Sequence, residues 1–186
     1  MKERILDAAE SLVQSRGLNG LTFQDLADAV GLRKPSLFHH VKNKEDLTLA
    51  LIERCSTKHG PKYAAVVEKS ISAPEKLRQV AKIFEDGLKQ EQPCLLAAIG
   101  NSAGSLSTTA AEELRQAAEG ATGRFAMIFA QGQKEGSLAF EGSPKHAAMA
   151  FFAMLQGLQM LCRTKGDTRA FKKAAATYID SIAVEE

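Results

Sequence analysis

Residues 21–47 read LTFQDLADAVGLRKPSLFHHVKNKEDL, and this stretch decides the fold. Its apolar spacing predicts a short helix from Phe23 to Val30, a tight turn at Gly31 and a second short helix after it. From Arg33 to Lys44 there are four Lys or Arg side chains and no Asp or Glu. A basic helix behind such a turn is typical of a helix-turn-helix, which places its second helix in the major groove of DNA.

Signals for helix starts on both sides of the turn support this interpretation. Thr22 is a suitable N-cap for the first of the two helices, and Asp25 occupies the reciprocal position of a capping box. Pro35 suits the first turn of the second helix, where its missing N–H removes no hydrogen bond. Asn43 is predicted to cap the helix that follows. Together with a helix over about 2–16, these elements form a three-helix unit at the N-terminus.

The sequence from about Ile5 to Leu51 resembles the tetracycline-repressor (TetR) family of regulators. The strongest likeness lies in residues 35–44, PSLFHHVKNK. Gly17 after the first helix, the Leu-Thr start of the second helix and Gly31 also match the family pattern. Beyond residue 60 the likeness is one of architecture alone.

Two positions in this region depart from the family pattern. Phe38 stands where members usually have Tyr, so the chain lacks the hydroxyl that would contact a DNA phosphate there. Arg33 stands near the place where members often have a Ser or Thr that caps the recognition helix. An Arg side chain cannot cap a helix in that way.

The resemblance implies a homodimer that reads a palindromic operator in double-stranded DNA, with one half-site for each recognition helix. The candidate DNA-binding residues lie at the starts of the second and fourth helices and along the recognition helix. They are Thr22, Gln24, Arg33, Lys34, Pro35, Ser36, Phe38, His39, His40 and Lys44. For each of them, the alternative of an ordinary solvated side chain stays open.

Roles within this set follow from chemistry and from the resemblance. Thr22 and Lys44, with help from His40, are placed on phosphates, which position a protein on DNA without reading its sequence. Gln24 and Lys34 are placed on base edges, because Gln recognises purine edges and Lys donates to guanine O6 and N7. Pro35 and Phe38 are candidates for packing against a thymine methyl group, and Ser36 and His39 are candidates for either role.

The distribution of charge agrees with a DNA-binding N-terminal part. The chain has 24 basic and 22 acidic side chains, hence a net charge of +2. Residues 1–62 hold 10 basic and 8 acidic side chains, whereas residues 63–186 hold 14 of each. The small excess of positive charge therefore lies wholly in the part that would contact nucleic acid.

The remainder of the 186-residue chain is predicted to be helical. We expect an all-α fold with a helix-turn-helix DNA-binding domain over 1–46 and a larger helical bundle for ligand sensing and dimerisation over 47–186. Gly60-Pro61 is expected to end or kink the fourth helix. Ser72 and Glu75 have the spacing of a capping box at the start of the fifth.

The last two helices are predicted to form the dimer interface. The stretch from Ala147 to Cys162 is apolar nearly all round and covers roughly 16 residues with two glutamines, short of the roughly 20 apolar residues needed to span a bilayer. A helix that is apolar on all sides is otherwise buried on all sides. Pairing with a second copy would form a four-helix interface that includes Leu155 and Ile179. The alternative is packing within one chain.

An effector site is predicted in the aromatic core of the larger domain. Its candidate lining residues are Phe84, Leu88, Cys94, Ile99, Phe125, Phe129, Phe151 and Met154. The alternative for each is plain core packing. Cys94 has a second possible role, because it follows Pro93 at a helix start, where amide dipoles favour a thiolate. A subset of the resembled family senses oxidants or electrophiles with a cysteine near this place.

Other classes of site find little support in the composition. The three cysteines are odd in number and lack metal-ligand spacing, which favours a reducing cytoplasm over a disulfide framework. No Ser-His-Asp arrangement or phosphate-binding glycine loop is evident, so we expect neither an enzyme nor a cofactor. The sequence predicts a cytoplasmic transcriptional repressor that a small ligand or a thiol modification releases from DNA. The alternative is a nucleoid or adaptor protein whose larger domain binds a protein partner.

Overall fold

The computed structural model describes residues 1–184 and folds them almost entirely into helices. In this part of the chain the helices are α1 (Lys2–Arg16), α2 (Phe23–Val30), α3 (Lys34–Phe38), α4 (Lys44–Val67), α5 (Ala73–Lys89), α6 (Leu95–Gly100), a short 3-10 turn (Ala103–Ser105), α7 (Thr108–Glu135), α8 (Pro144–Lys165) and α9 (Thr168–Ile182). Extended pairing within the described residues is a single bridge between Leu138 and Ala183. The predicted all-α class is confirmed.

The chain forms two compact units. Unit one consists of residues 1–58 and 94–118, and unit two of residues 59–93 and those from 119 onward. The chain passes between the units three times, within α4, before α6 and within α7. The domain boundary that we expect between residues 46 and 47 lies inside α4. It stays a prediction that DNA binding belongs to the residues before it, and ligand sensing and dimerisation to those after it.

Unit one is organised around α1, which packs against α2 and α6. Its apolar residues recur at helical spacing, so they fall on one face and are removed from water. The buried side chains of this unit include Ile5, Ala9, Val13, Leu26, Leu37, Leu47 and Leu51. Each large apolar side chain buried in this way contributes roughly 1.5–3 kcal/mol. Because Leu37 belongs to this core, α3 is anchored by its inner face.

A charged cluster also joins α1 to α4. Glu3, Asp7 and Glu10 contact the guanidinium of Arg54. Glu10 accepts hydrogen bonds from Arg54 Nε at 2.9 Å and from Lys58 Nζ at 3.0 Å. Burial alone would raise the pKa of Glu10, but the two cations outweigh it and hold that pKa below its ordinary value of 4.5. Glu10 is therefore an ionised carboxylate inside the core.

Unit two packs α5 against α8 and α9. A buried lysine fastens the end of α4 to the start of α5, since Lys76 Nζ donates to the carbonyl of Val67 at 2.5 Å and to Gln131 Oε1 at 2.6 Å. Asp167 caps α9 by accepting from the N–H groups of Arg169 and Ala170. None of the helices in residues 1–184 is long and apolar enough to cross a membrane.

The fourth helix does not end at Gly60-Pro61, which was one of the two outcomes expected there. α4 includes Gly60 and Pro61 and runs to Val67. Pro61 removes one backbone donor from the helix, which disfavours continuation. The buried ring of Tyr63 packs against Phe84 and Phe125, with centroids 6.2 and 5.0 Å away. This tertiary contact stabilises the helix beyond the proline.

The start of α5 is capped differently from the prediction. Ser72 precedes the helix, but its side chain makes no capping hydrogen bond. Glu135 Oε1 of α7 instead accepts from the N–H of Ala73 at 2.8 Å. The expected capping box between Ser72 and Glu75 is therefore replaced by a carboxylate that is distant in sequence.

α8 is not buried on all sides. Met149, Met160 and Leu161 are 58%, 61% and 50% exposed. Leu155 and Ile179, which we expected at the dimer interface, are fully buried within unit two, so they belong to the core of a single chain. Met149 and Met160 are separated by three helical turns and lie on one exposed side of α8.

Candidate nucleic-acid interface and effector residues

α2 begins at the predicted cap. Thr22 Oγ1 accepts from the N–H of Asp25 at 3.1 Å, and its hydroxyl donates to Asp25 Oδ2 at 2.7 Å. The carboxylate thus engages the hydroxyl rather than a backbone N–H. Gln24 is exposed one residue further on, and its Nε2 donates to Asp28 Oδ1 at 2.8 Å. A base edge that binds Gln24 has to compete with Asp28 for this amide.

The turn between α2 and α3 has the predicted geometry. Gly31 adopts the left-handed conformation with φ of 70°, which strains any residue that has a Cβ. Its N–H is donated to the carbonyl of Asp28 at 3.2 Å, and the N–H of Leu32 to that of Ala27 at 2.9 Å. These bonds satisfy the last carbonyls of α2 and direct the chain into α3.

α3 presents its outer side to solvent. Leu37 is fully buried beneath it, and Pro35 occupies its first turn. The exposed candidates on α3 and at its two ends are Arg33, Lys34, Pro35, Ser36, Phe38, His39 and His40. Arg33 makes no side-chain capping bond, in agreement with its chemistry. The exposed run contains no carboxylate, so its charge suits a polyanion.

An aromatic pair joins α2 and α3 at this surface. The rings of Phe23 and Phe38 stack with centroids 5.0 Å apart and planes 24° apart. Phe38 is 40% exposed. The sequence placed Phe23 only in the apolar stripe of α2. The pairing was missed because the periodicity of one helix says nothing about its contacts with the next.

Lys44 begins α4 beside a cavity of about 270 Å³ in unit one. The helix is capped as predicted, because Asn43 Oδ1 accepts from the N–H of Asp46 at 2.8 Å. Lys44 itself is half-buried. The residues that line the cavity come from the α1–α2 turn, the first turns of α4, the segment before α7 and the first turn of α7, and they are Leu18, Asn19, Lys44, Glu45, Thr48, Ser105, Leu106, Ser107 and Ala110.

Two hydrogen bonds tie the segment before α7 to the helix-turn-helix part of unit one. Ser107 Oγ donates to Glu45 Oε1 at 2.6 Å, next to Lys44. Ser105 Oγ donates to Asn19 Oδ1 at 3.2 Å. The partners are 62 and 86 residues apart in sequence. No local pattern signals such contacts, so sequence reasoning missed them.

The candidate effector residues fall into two groups. Phe84, Leu88, Phe125, Phe129, Phe151 and Met154 belong to unit two, whereas Cys94 and Ile99 belong to unit one. In unit two, the rings of Phe125 and Phe151 meet edge to face with centroids 6.2 Å apart, and those of Phe129 and Phe151 with centroids 5.9 Å apart. The five apolar candidates of this group other than Met154 are buried.

Several members of this aromatic cluster were missed from the sequence. Phe152 contacts Phe84 and Phe125, with centroids 6.0 and 5.5 Å away. Tyr63 lies beyond the expected break at Pro61, and Phe152 is on a helix so uniformly apolar that periodicity selects no face. A buried amide also reaches the cluster, since Gln159 Nε2 donates to the carbonyl of Phe84 at 2.8 Å.

The three free cysteines have different surroundings. Cys94 precedes α6 and is half-buried. Burial, and next the neighbouring thiol of Cys94, raise the pKa of Cys55 to about 12. Burial also raises the pKa of Cys162. Over residues 1–184, no group of three His, Cys, Asp or Glu is arranged to hold a metal ion.

Comparison with known families gives two matches along the chain. The profile of the family described as "Bacterial regulatory proteins, tetR family" matches residues 5–51. That of "Tetracyclin repressor-like, C-terminal domain" matches residues 73–178. The two matches together span most of the helices described above.

Curated relatives resemble mainly the N-terminal part. The negative transcriptional regulator IcaR of the biofilm operon icaADBC, from Staphylococcus epidermidis, is 36% identical over 55 residues, 30% of each chain. The class D tetracycline repressor of Escherichia coli is 40% identical over 58 residues, 31% of this chain and 27% of the relative. The match thus spans less than a third of the length of these relatives.

Solved structures resemble the whole chain. A TetR-family transcriptional regulator from Agrobacterium tumefaciens superimposes with a TM-score of 0.92, over 98% of this chain and 97% of the other, at 24% sequence identity. At 24% sequence identity, this likeness shows that the two chains share a fold and nothing further.

Proposed function

Because the chain belongs to the TetR family of bacterial regulatory proteins, we propose that it is a sequence-specific DNA-binding transcriptional repressor. The observation that supports this most directly is the outer side of α3. The residues on that side are exposed, and none of them is Asp or Glu. Leu37 beneath them is buried, and the turn at Gly31 leads the chain into the helix. Regulators of this family generally act by binding DNA and not by catalysis, and we propose the same here.

DNA contact in this proposal divides between positioning and reading. Thr22 and Lys44 stand at the N-termini of α2 and α4, where phosphates are favoured. Lys34 and Gln24 are exposed and reach base edges in the major groove. Gln24 exchanges its bond with Asp28 for one with a base, so its contribution is smaller than that of a free amide.

The proposal includes a homodimer. The exposed side of α8 with Met149, Met160 and Leu161 is costly to leave in water. A single five-residue recognition helix contacts too few bases for specificity, whereas two copies related by a two-fold axis read a palindrome. Such a dimer would meet its operator in the cytoplasm, where unpaired cysteines stay reduced.

Release from DNA is proposed to follow binding of a small ligand to unit two or modification of Cys94. The aromatic cluster with the buried amide of Gln159 offers apolar surface and one polar group for a ligand. The segment of residues 94–118 belongs to the same compact unit as the reading helices, and Ser107 contacts Glu45 beside Lys44. A change at α6 therefore has a short route to the DNA surface.

Selection from a pool of random DNA duplexes tests the function. The full-length protein is expected to enrich a palindrome whose half-sites are centred about one helical turn, 34–36 Å, apart. The operator should be bound at least about a thousand-fold more tightly than a scrambled duplex of the same composition. Binding that depends on salt alone, with no enriched sequence, would instead support a nucleoid protein.

A further inference from the structure

The cavity of about 270 Å³ in unit one combines two opposite charges with an apolar wall. Lys44 and Glu45 are neighbours in the first turn of α4, and both line it. Leu18, Leu106 and Ala110 supply the apolar part of the lining. Pockets for drug-sized ligands begin at roughly 300 Å³, so this cavity suits a smaller molecule. All of its lining residues belong to unit one, so it is distinct from the aromatic cluster of unit two.

The carboxylate of Glu45 is held in position at this cavity. Its Oε1 accepts from Ser107 Oγ at 2.6 Å, and Ser107 Oγ accepts in turn from the N–H of Ala110 at 3.1 Å. Ser107 is thereby fixed at the start of α7. An ionised carboxylate has about four acceptor positions. The Glu45 carboxylate can therefore accept hydrogen bonds from a cationic group in the cavity without releasing Ser107.

The ammonium of Lys44 is available for an anionic group at the same cavity. Within residues 1–184 it has neither an ion pair nor a hydrogen bond, although Lys44 is half-buried. The backbone of Lys44 is fixed, because the hydroxyl of the buried Thr48 donates to its carbonyl at 2.7 Å. Charge-assisted hydrogen bonds between an ammonium and a carboxylate are among the strong ones. A ligand carboxylate is thus the group that Lys44 favours.

The spacing of the two charges narrows the class of ligand. Consecutive Cα atoms are about 3.8 Å apart, so Lys44 and Glu45 present opposite charges at short range. An α-amino acid carries its carboxylate and its ammonium on a single carbon, which matches such a pair. We propose that this cavity binds an aliphatic α-amino acid, with its carboxylate on Lys44, its ammonium on Glu45 and its side chain against the apolar wall.

Binding at this cavity has a consequence for DNA, and this consequence rests on the proposed function. Lys44 is proposed to contact a DNA phosphate, and one ammonium cannot pair fully with a phosphate and a ligand carboxylate together. The amino acid and the operator therefore compete for Lys44. By linkage, each weakens the binding of the other by the same factor.

Calorimetric titration of L-leucine into the full-length protein without DNA tests the site itself. Isocaproate lacks the ammonium, isoamylamine lacks the carboxylate, and ε-aminocaproate carries the two charges at opposite ends of its chain. Each of these should bind at least about ten-fold more weakly than L-leucine, because a charged partner in the cavity loses its hydrogen bonds. L-Valine should bind in the same way as L-leucine.

Glu45→Gln assigns the binding to this cavity. The amide keeps an acceptor for Ser107 and removes the negative charge, so L-leucine should bind at least about ten-fold more weakly. Operator affinity should stay as in the wild type. Glu53→Gln, at an exposed carboxylate on the same helix that does not line the cavity, is the matched control and should bind L-leucine normally.

Operator binding in saturating L-leucine tests the competition. The wild type should bind the selected operator at least about ten-fold more weakly, the loss expected for one charged contact. The slope of log affinity against log salt should fall by about 0.9 for each Lys44 withdrawn from a phosphate. Glu45→Gln should stay on the operator at the same concentration of L-leucine.

Three results would overturn the inference. They are a wild type that binds neither L-leucine nor L-valine, a Glu45→Gln variant that binds L-leucine as the wild type does, and an operator affinity that bound L-leucine leaves unchanged. Failure to enrich any duplex would instead contradict the proposed function, and the competition with it. The site would still be decided in that case, because the calorimetric titrations contain no DNA.

Discussion

Individual lysines at the proposed DNA surface differ in what surrounds them, and this difference predicts different roles. Lys34 is exposed at the start of α3, whereas Lys44 is half-buried at the start of α4. A base contact affects one sequence, whereas a phosphate contact affects all sequences. The two substitutions should therefore separate in a single set of titrations.

Lys34→Ala is expected to cost about 1–3 kcal/mol for each half-site and to lower the ratio of operator to scrambled binding. Lys44→Ala should weaken both duplexes equally and reduce the slope of log affinity against log salt by about 0.9 for each lost phosphate contact. Binding isotherms at several salt concentrations measure both quantities. Lys62→Ala, on the exposed side of α4 in unit two, is the control. An unchanged specificity ratio for Lys34→Ala would remove Lys34 from the base-reading set.

Glu10 offers a test of the charged core. Its side chain is 6% exposed and ion-paired with Arg54 and Lys58. Glu10→Gln should destabilise the fold by about 3 kcal/mol, at the lower end for a broken buried pair, because Arg54 keeps Glu3 and Asp7. Glu3→Gln, at a 75% exposed carboxylate, should cost less than about 1 kcal/mol.

The pH dependence of this difference has a defined sign. The pKa of Glu10 is lowered in the folded state, so its stabilisation is fully present above the ordinary value of 4.5 and is lost as pH falls through the lowered folded value. Denaturant unfolding of wild type and Glu10→Gln from pH 7 to pH 3 should show the gap closing in acid. A gap of constant size would mean that Glu10 acts through packing and not through its charge.

The cysteines differ in accessibility, which predicts an order of reactivity. Cys55 and Cys162 are buried with raised pKa values, about 12 for Cys55, so few thiolates form at neutral pH. Cys94 is expected to be labelled first by a thiol reagent in the native protein, and the other two only after unfolding. If Cys94 is the switch, peroxide should release the wild type from its operator and leave Cys94→Ser bound. Equal behaviour of the two proteins would favour a reversible ligand in unit two.

Elements of the structure could be predicted where their signals are local. The cap at Thr22, the glycine turn at Gly31 and the cap at Asn43 each depend on residues within a few positions, and all three are confirmed. The continuation of α4 past Pro61 could not be predicted, because it depends on contacts of Tyr63 with rings from other helices. The same applies to the site, where Phe23, Ser105 and Ser107 have partners on other elements.

The cap of α5 gives an element-scale prediction in which sequence and structure disagree. Glu135→Ala removes the acceptor for the N–H of Ala73 and should lower stability by about 1 kcal/mol, or roughly 2–4 °C in Tm. Ser72→Ala should change stability by less than about 0.5 kcal/mol, because Ser72 makes no capping bond. Thermal unfolding of both variants decides between them. A larger loss of stability for Ser72→Ala than for Glu135→Ala would instead support the capping box of Ser72 and Glu75.

At the scale of the whole molecule, the exposed methionines of α8 are the surface on which we place the interface of the proposed homodimer. Large apolar side chains at 58% and 61% exposure, on one side of a 22-residue helix, are typical of an interface. In the proposed homodimer, a second copy of the chain would supply the matching surface through a two-fold axis. The residues that carry this interaction are then separate from the core residues Leu155 and Ile179.

Substitution of both Met149 and Met160 by Glu should produce a folded monomer. In the single chain the added carboxylates are solvated, so the monomer should stay folded. Burying them in a dimer interface is costly, so dimers should not form. The Tm of the variant should therefore be lower than that of the wild type only by the stability that dimerisation contributes. Sedimentation should show the loss of dimers, and operator affinity should collapse although α2 and α3 are unchanged, because one recognition helix engages one half-site. Lys134→Glu, an exposed charge reversal at the end of α7, is the control.

Leu155→Glu should instead unfold the chain, since it places an unpaired charge at a fully buried position. A double methionine variant that remains dimeric with full affinity would move the interface away from α8.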